Sequence, residues 1–342
     1  MSAWEGRRVL VTGATGLVGS WLTRALLERG SEVVVLVRDA DPMSELIRSG
    51  DLARTTVVNG EVQSLPTMLR AMNHHRPDTV FHLAAQTQVG AALRDPFETF
   101  ESNVRGSYAL LEACRRHADQ VRRVVVASSD KAYGEAAQLP YTEDTPLEAR
   151  FPYDTSKLCT DVITRSYFAT YDLPAAIARC GNIYGGGDLN WDRIVPGTIR
   201  SLLRGERPVI RSDGTLVRDY VYVREVAEAY LTLAEHVHRP EVRGRAFNFA
   251  AGAPLSVLEV VAAIGTAMGV TPDPDVRGTA TAEISRQFLS SERAREVLGW
   301  ASRYPLAEGL GETVAWYRAF LSHVAAGTGA AAGDGAHRKG RA

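Results

Sequence analysis

Six short apolar runs in the first half of the chain alternate with longer helical patterns, and a glycine-rich turn follows the first run. Together they predict an α/β protein with a doubly wound parallel sheet. Runs that are apolar throughout belong to strands covered by helices on both faces, as right-handed crossovers produce. A change of pattern after Cys180 adds a second, smaller α/β domain. In order, "RVLVTG" is the first strand and "LVGSWLTRALLERG" its helix, closed by Gly30. "EVVVLV", "TTVV" and "TVFHLAA" are strands two to four. A helix over about Phe97 to His117 leads to the fifth strand, "RRVVVAS", and one from about Tyr153 to Tyr171 leads to the sixth, "PAAIARC".

"GNIYGGGDLNWDRIVP" is rich in Gly, Asn and Asp and reads as a functional loop. Beyond it come a helix near 194–204, short strands at "PVIRS" and "YVYV", a helix from about Arg224 to His236 and the strand "AFNFA". "SVLEVVAAIGTAMG" opens with a capping box, Ser256 and Glu259. The expected division gives residues 1–181 to the larger domain, with 217–249 returning to it, and 182–216 and 250–325 to the smaller one. The Ala/Gly-rich segment 326–342 has no periodicity and is expected to be disordered. No internal repeat is visible.

With 342 residues, 45% hydrophobic and 23% charged, the chain has ample material for two packed domains. Its net charge of −1 gives no electrostatic ground for binding nucleic acid or a membrane surface. No stretch approaches the roughly 20 apolar residues of a membrane span, and the strand pattern beginning within "MSAWEGRRVL" predicts no signal peptide. Cys114, Cys159 and Cys180 are odd in number and form no CxxC pair, so neither a disulfide framework nor a metal site is expected. The expected setting is reducing cytosol. His82, inside an apolar strand, reads as a core histidine, and His74-His75 as a solvated helix end.

The first turn, "TGATGLVG", spaces Gly13, Gly16 and Gly19 as GxxGxxG. Glycine permits a tight strand-to-helix turn, lets the backbone approach a pyrophosphate and lets the helix pack closely. Such a turn can serve plain packing. At the end of the first strand of a βαβ unit it points instead to a dinucleotide, and so to a Rossmann-type domain. At the end of the second strand, Arg38 can hold a 2′-phosphate or cover the adenine, while Asp39 can reach a ribose hydroxyl. This favours NAD and leaves NADP open.

Tyr153 and Lys157 in "YDTSK" stand four apart on one helix face. A cation one turn from a phenol favours phenolate, a base usable near neutral pH. "SSDK", at the end of the fifth strand, adds hydroxyls, a carboxylate and an ammonium.

In order along the chain, "TGATGLVG", "HLAAQ", "SSDKAYG", "YDTSK", "RCGNIYGGGD" and "GTLVRDYVYV" resemble the extended short-chain dehydrogenase/reductase superfamily, the NAD-dependent epimerases and dehydratases. Within it the chain looks most like the nucleotide-sugar 4,6-dehydratases, and among these the CDP-glucose branch, through "SSDK", "HLAAQ" and "GNIYGGGDLNWDRIVP". The resemblance implies bound NAD, a nucleotide-sugar substrate that the CDP-glucose branch would make a CDP-hexose, and a homodimer pairing the helices near 97–117 and 153–171. It implies C4 oxidation, loss of water across C5–C6 and hydride return to C6. Ser129 would bond the C4 oxygen, Tyr153 take its proton, and Lys157 tune Tyr153 and hold the nicotinamide ribose. Cofactor contacts would come from Gly13, Thr15, Gly16, Leu17, Val18, Arg38, Glu61, Val62, Leu83, Ala84 and Ala85, together with Tyr153 and Lys157. Glu61 can accept from the adenine amine or simply face solvent.

Elimination needs an acid for the departing C6 hydroxyl and a base for the C5 proton. Asp130 fits the acid if burial raises its pKa. Most 4,6-dehydratases have Glu at the next position, whereas Lys131 stands here, as in the CDP-glucose branch. Lys131 can be a neutral base, can stabilise an enolate while another base works, or can be a salt-bridge partner of Asp130 or Glu135. Gln86 and Asn182 lie where the sugar would meet the nicotinamide, and Arg193 and Arg218 can clamp the pyrophosphate or remain surface residues. Two alternatives stay open. A nucleotide-sugar 4-epimerase needs Ser129, Tyr153 and Lys157 but no elimination acid, and Asp130 argues against it. A non-catalytic dinucleotide-binding protein has no need of the base.

Overall fold

The computed structural model describes residues 2–279 and 284–333, with side chains through Val324. The first half builds β1 (Arg8–Thr12), β2 (Glu32–Val37), β3 (Thr56–Asn59), β4 (Thr79–His82), β5 (Arg123–Ala127) and β6 (Ala175–Cys180). After β6 come the short strands β7 (Asn182–Tyr184), β8 (Val209–Ile210), β9 (Val217–Arg218) and β10 (Tyr220–Tyr222), then β11 (Ala246–Phe249). Seven of these form one sheet in the order β11-β6-β5-β4-β1-β2-β3, with every neighbouring pair parallel.

Successive side chains on a strand point to opposite faces, and the apolar runs fill both. Val9, Val11, Val33, Val35, Phe81 and Val125 face one core, where they meet Leu22, Leu26, Val226 and Leu233 from α1 (Leu17–Glu28) and the helix Val223–His236. Leu10, Val34, Val80, Val124 and Val126 face the other. There they meet Met68 and Met72 of a helix over Leu65–His75 and Leu110 and Leu111 of one over Gly106–Arg116. Each such side chain contributes about 1.5–3 kcal/mol when buried, which explains why runs without alternation were needed.

The smaller half surrounds a more aromatic core of Tyr184, Tyr220, Tyr222, Tyr317, Ile199 and Ile264. Its strands are two or three residues long: β7 pairs with β10, and β9 lies between Leu255–Ser256 and Arg286–Gln287. The capping box is present, Ser256 accepting from the Glu259 amide and Glu259 accepting from Ser256.

Three local expectations change. The fourth strand ends at His82, so Leu83–Ala85 are loop rather than strand. The helix expected over 97–117 is Pro96–Phe100, a π-helical turn over Glu101–Arg105 and Gly106–Arg116. The last helix, Leu306–Gly333, runs through residues 326–333, which composition assigned to a disordered tail. Alanine has the highest helix propensity, so an Ala-rich segment can prolong a helix without an apolar stripe. Residues 334–342 of that tail lie outside the described residues. Among the described residues no helix is long and apolar enough to cross a membrane, and Cys114, Cys159 and Cys180 are free thiols. His82 is buried, with its ring nitrogens bonded to Thr12 Oγ1 at 2.9 Å and Ser107 Oγ at 3.1 Å.

Candidate active site

The residues singled out after strands one to five lie at the carboxyl ends of parallel strands, where open α/β sheets hold their ligands. Gly13 has φ +72°, and a Cβ there would stand 2.6 Å from the Ala84 amide nitrogen. At Gly19 it would stand 2.1 Å from the Gly13 carbonyl oxygen. Only glycine allows this turn to lie so close to the loop after β4. Gly16 caps α1 without a side chain, and the first turn carries no acid. The leading amides of a helix have no intrahelical acceptor, so those of Leu17 and Val18 are available to an anion. The cradle fits a dinucleotide pyrophosphate. Arg38 pairs with Asp39 at 2.7 Å and lies 3.9 Å from Glu98, which leaves less positive charge for a 2′-phosphate. Val62 is buried while Glu61 is exposed.

Beyond β5 the chain forms a 3-10 turn, Asp130–Tyr133, capped by Ser129. Ser129 Oγ accepts from the Lys131 amide at 3.2 Å and donates to Asp130 Oδ1 at 3.0 Å. Tyr153, at the start of the helix Pro152–Tyr171, is hydrogen-bonded to Ser129. Burial pushes the Tyr153 phenol up to about 12; Arg193 and the Ser129 bond pull against this, while Asp130 and Asp154 add to it. The opposing cation is Arg193, and the Lys157 ammonium turns to the Ala127 carbonyl, donating at 3.0 Å. Sharing a helix face does not fix where a four-carbon stem ends, and β5 supplies the acceptor. Burial also lowers Lys157, to about 8.

Asp130 is 3% exposed, and burial raises its carboxyl above the usual carboxylate range against the pull of Lys131, Ser129 and Arg218. That is the condition its use as an acid sets. Lys131 donates from Nζ to Gln287 Oε1 at 2.5 Å, rather than forming an ion pair with Asp130 or Glu135.

The remaining positions are held by neighbours that sequence reasoning missed. Gln86 is fixed by Asn103, which accepts from the Gln86 amide at 2.7 Å and donates to the Gln86 carbonyl at 3.0 Å and to Ser156 at 2.8 Å. Asn103 sits in the π-helical turn, a feature frequent at functional sites. Asn182 bonds the Tyr220 hydroxyl. Arg193 donates to Asp188 at 2.9 Å and Thr87 at 3.3 Å, and Arg218 donates to the Val217 carbonyl at 2.9 Å. Asp219, 1% exposed, accepts from the amides of Ala251 and Gly252 at 2.9 and 3.0 Å; burial lifts it to about 6, and Asp130 adds to the rise. Its place beside the candidate residue Arg218 was the one available signal.

Residues 9–250 match the sequence profile of the NAD dependent epimerase/dehydratase family. The chain belongs to that family. It is 29% identical to the CDP-glucose 4,6-dehydratase of Salmonella typhimurium, over 93% of this chain and 92% of the relative. It is 32% identical to the UDP-glucose 4-epimerase of Mycolicibacterium smegmatis, over 91% and 98%. Among solved structures it is similar to the dTDP-glucose 4,6-dehydratase of Bacillus anthracis in complex with NAD, with TM-score 0.80, 26% identity and coverage of 92% and 97%. As a member of this family the chain is an NAD-dependent enzyme with a Rossmann-type sheet.

Proposed function

We propose that the protein is a nucleotide-sugar 4,6-dehydratase that converts CDP-glucose to CDP-4-keto-6-deoxyglucose. The observation that carries this reading is Asp130: a buried carboxyl, its pKa raised by desolvation, one hydrogen bond from Ser129, which in turn bonds Tyr153. A 4-epimerase has no leaving hydroxyl to protonate. The choice of CDP rests on the similarity to the CDP-glucose enzyme and on Lys131.

Bound NAD supplies the hydride acceptor at C4 and the donor at C6. Ser129 orients the C4 hydroxyl, and Tyr153 receives its proton as the C4–H bond gives up its electron pair. The new C4 carbonyl acidifies C5–H. Lys131, in its neutral form, takes that proton while Asp130 protonates the C6 hydroxyl, which departs as water and leaves a C5=C6 double bond. Lys131 returns its proton to C5 as the hydride reaches C6. One turnover leaves Tyr153 with an extra proton and Asp130 without one. Ser129, bonded to both, is the path by which that proton resets the site.

The larger domain, 1–181 with 217–249, carries the cofactor, and 182–216 with 250–325 carries the nucleotide sugar, Arg193 and Arg218 meeting the pyrophosphate. The working form is a dimer: helices between 89 and 171 expose Leu93, Phe97, Phe100, Tyr108 and Val162, large apolar side chains that a second copy would cover. Light scattering at micromolar concentration should give twice the chain mass. Incubation with CDP-, UDP-, dTDP- and GDP-hexoses, read by mass, tests the reaction. Loss of one water from CDP-glucose alone is expected. An unchanged mass with inversion at C4 would instead make the chain an epimerase, the activity of its 32% identical relative.

A further inference from the structure

Gln287 lies 156 residues from Lys131 in sequence, yet its side chain reaches the elimination turn. It is 0% exposed, and both ends of its amide are committed there. Oε1 accepts from Lys131 Nζ at 2.5 Å, and Nε2 donates to the Asp130 carbonyl at 3.0 Å. The orientation is not interchangeable: a carbonyl only accepts, so Nε2 must face Asp130 and Oε1 must face the amine. The residue comes from the smaller half, on the strand Arg286–Gln287, directly opposite Arg218 of β9.

From this we infer that Gln287 is a positioning residue for elimination, holding the Lys131 amine beside Asp130 without fixing its charge. It rests on the role proposed above for Lys131. An amide oxygen accepts an N–H from either ammonium or amine, so Lys131 can gain and lose the C5 proton while staying in place. A carboxylate at 287 would favour the ammonium and oppose the base. An apolar residue would leave a long, flexible stem unanchored, with the buried Asp130 carbonyl also deprived of its donor.

Three variants test this: Gln287→Leu, Gln287→Glu and Lys131→Met, each loaded with NAD and given CDP-glucose deuterated at C5. Gln287→Leu should bind substrate and oxidise C4 normally, while deuterium wash-out from C5 and loss of water slow roughly 10- to 100-fold, the value of a hydrogen bond to a charged partner. Gln287→Glu should retain the contact and move the acidic limb of the C5-exchange profile up by about one pH unit or more. Among the described residues, the other charged or titratable groups around this turn include Asp130, Tyr133, Glu135, Tyr141, Tyr153, Cys180, Arg218 and Asp219, all left intact. If Lys131→Met stalls elimination while both Gln287 variants exchange C5 at the normal rate and pH, Gln287 has no positioning role. If Lys131→Met is itself normal, the proposed role of Lys131 fails and that of Gln287 with it. Should Gln287→Leu not fold, the pH shift in Gln287→Glu decides alone.

Discussion

Two segments reach Tyr153, one from each half of the molecule, and different physics holds them. The turn Ser129–Gly134 stands on a buried polar network. Arg179, 1% exposed, pairs bidentately with Asp161 at 2.8 and 3.0 Å, donates to the Tyr133 hydroxyl at 2.7 Å and lies 4.8 Å from its ring centre. Tyr133 donates to Asn248 at 2.7 Å and stacks on Tyr141 at 4.9 Å. Gly134, at φ +70°, passes so close to Glu148 that a Cβ would stand 2.4 Å from its carbonyl oxygen. The loop that brings Arg193 is held instead by aromatic packing from the C-terminal helix. Tyr317 donates to the Asp188 carbonyl at 2.5 Å, and a Cβ on Gly186 would meet Trp316 at 2.3 Å. Arg193 itself is more than a third exposed. Asp130 thus sits in a low-dielectric setting that raises its pKa, whereas the Arg193 side chain keeps access to solvent.

The sharpest break in this comparison is at the residue both segments serve. Tyr153→Phe should cut turnover at least roughly 100-fold while leaving the dinucleotide bound, because the Gly13 turn and Lys157, which would hold the cofactor, are unchanged. Steady-state rates and bound-cofactor content check both halves. Within the buried segment, Asp130→Asn and Lys131→Met should each stall before water leaves, visible as reduced nicotinamide absorbing in the near-ultraviolet. Only Lys131→Met should also suppress C5 exchange, since Asp130 acts on the leaving hydroxyl.

Removing the network's central charge tests its structural share. Arg179→Met leaves Asp161 buried with, among the described residues, the partly exposed Arg165 as its ion-pair partner, and should cost about 3 kcal/mol in denaturant unfolding. The exposed segment should respond more mildly. Arg193→Gln removes a cation that favours phenolate, so the Tyr153 pKa rises, and the pH at which C4 oxidation reaches half its maximum moves upward. A rise in KM without that movement would make Arg193 a phosphate clamp alone.

The sheet was legible because its central strands are buried on both faces, so stretches such as "VLV" in β1, "VVVLV" in β2 and "VVV" in β5 run apolar without alternation. The dinucleotide turn was legible because Gly13 and Gly19 answer to contacts within one βαβ unit or its neighbour. Ser129, Asp130, Tyr153 and Lys157 stood out by residue type and local spacing. The extent of the last helix did not, since alanine favours a helix without leaving a stripe.

The sequence by itself determined the layered α/β architecture and the chemical groups at the strand ends, because both follow from short-range rules of burial, backbone conformation and spacing. Tertiary structure alone decided which cation faces which acid. Arg193 opposes the rise of Tyr153 from the loop beyond β7, and Gln287 reaches Lys131 from 156 residues away. Electrostatic and hydrogen-bond partners are chosen by distance in space, and a long side chain on a known helix face still has several places to put its charge.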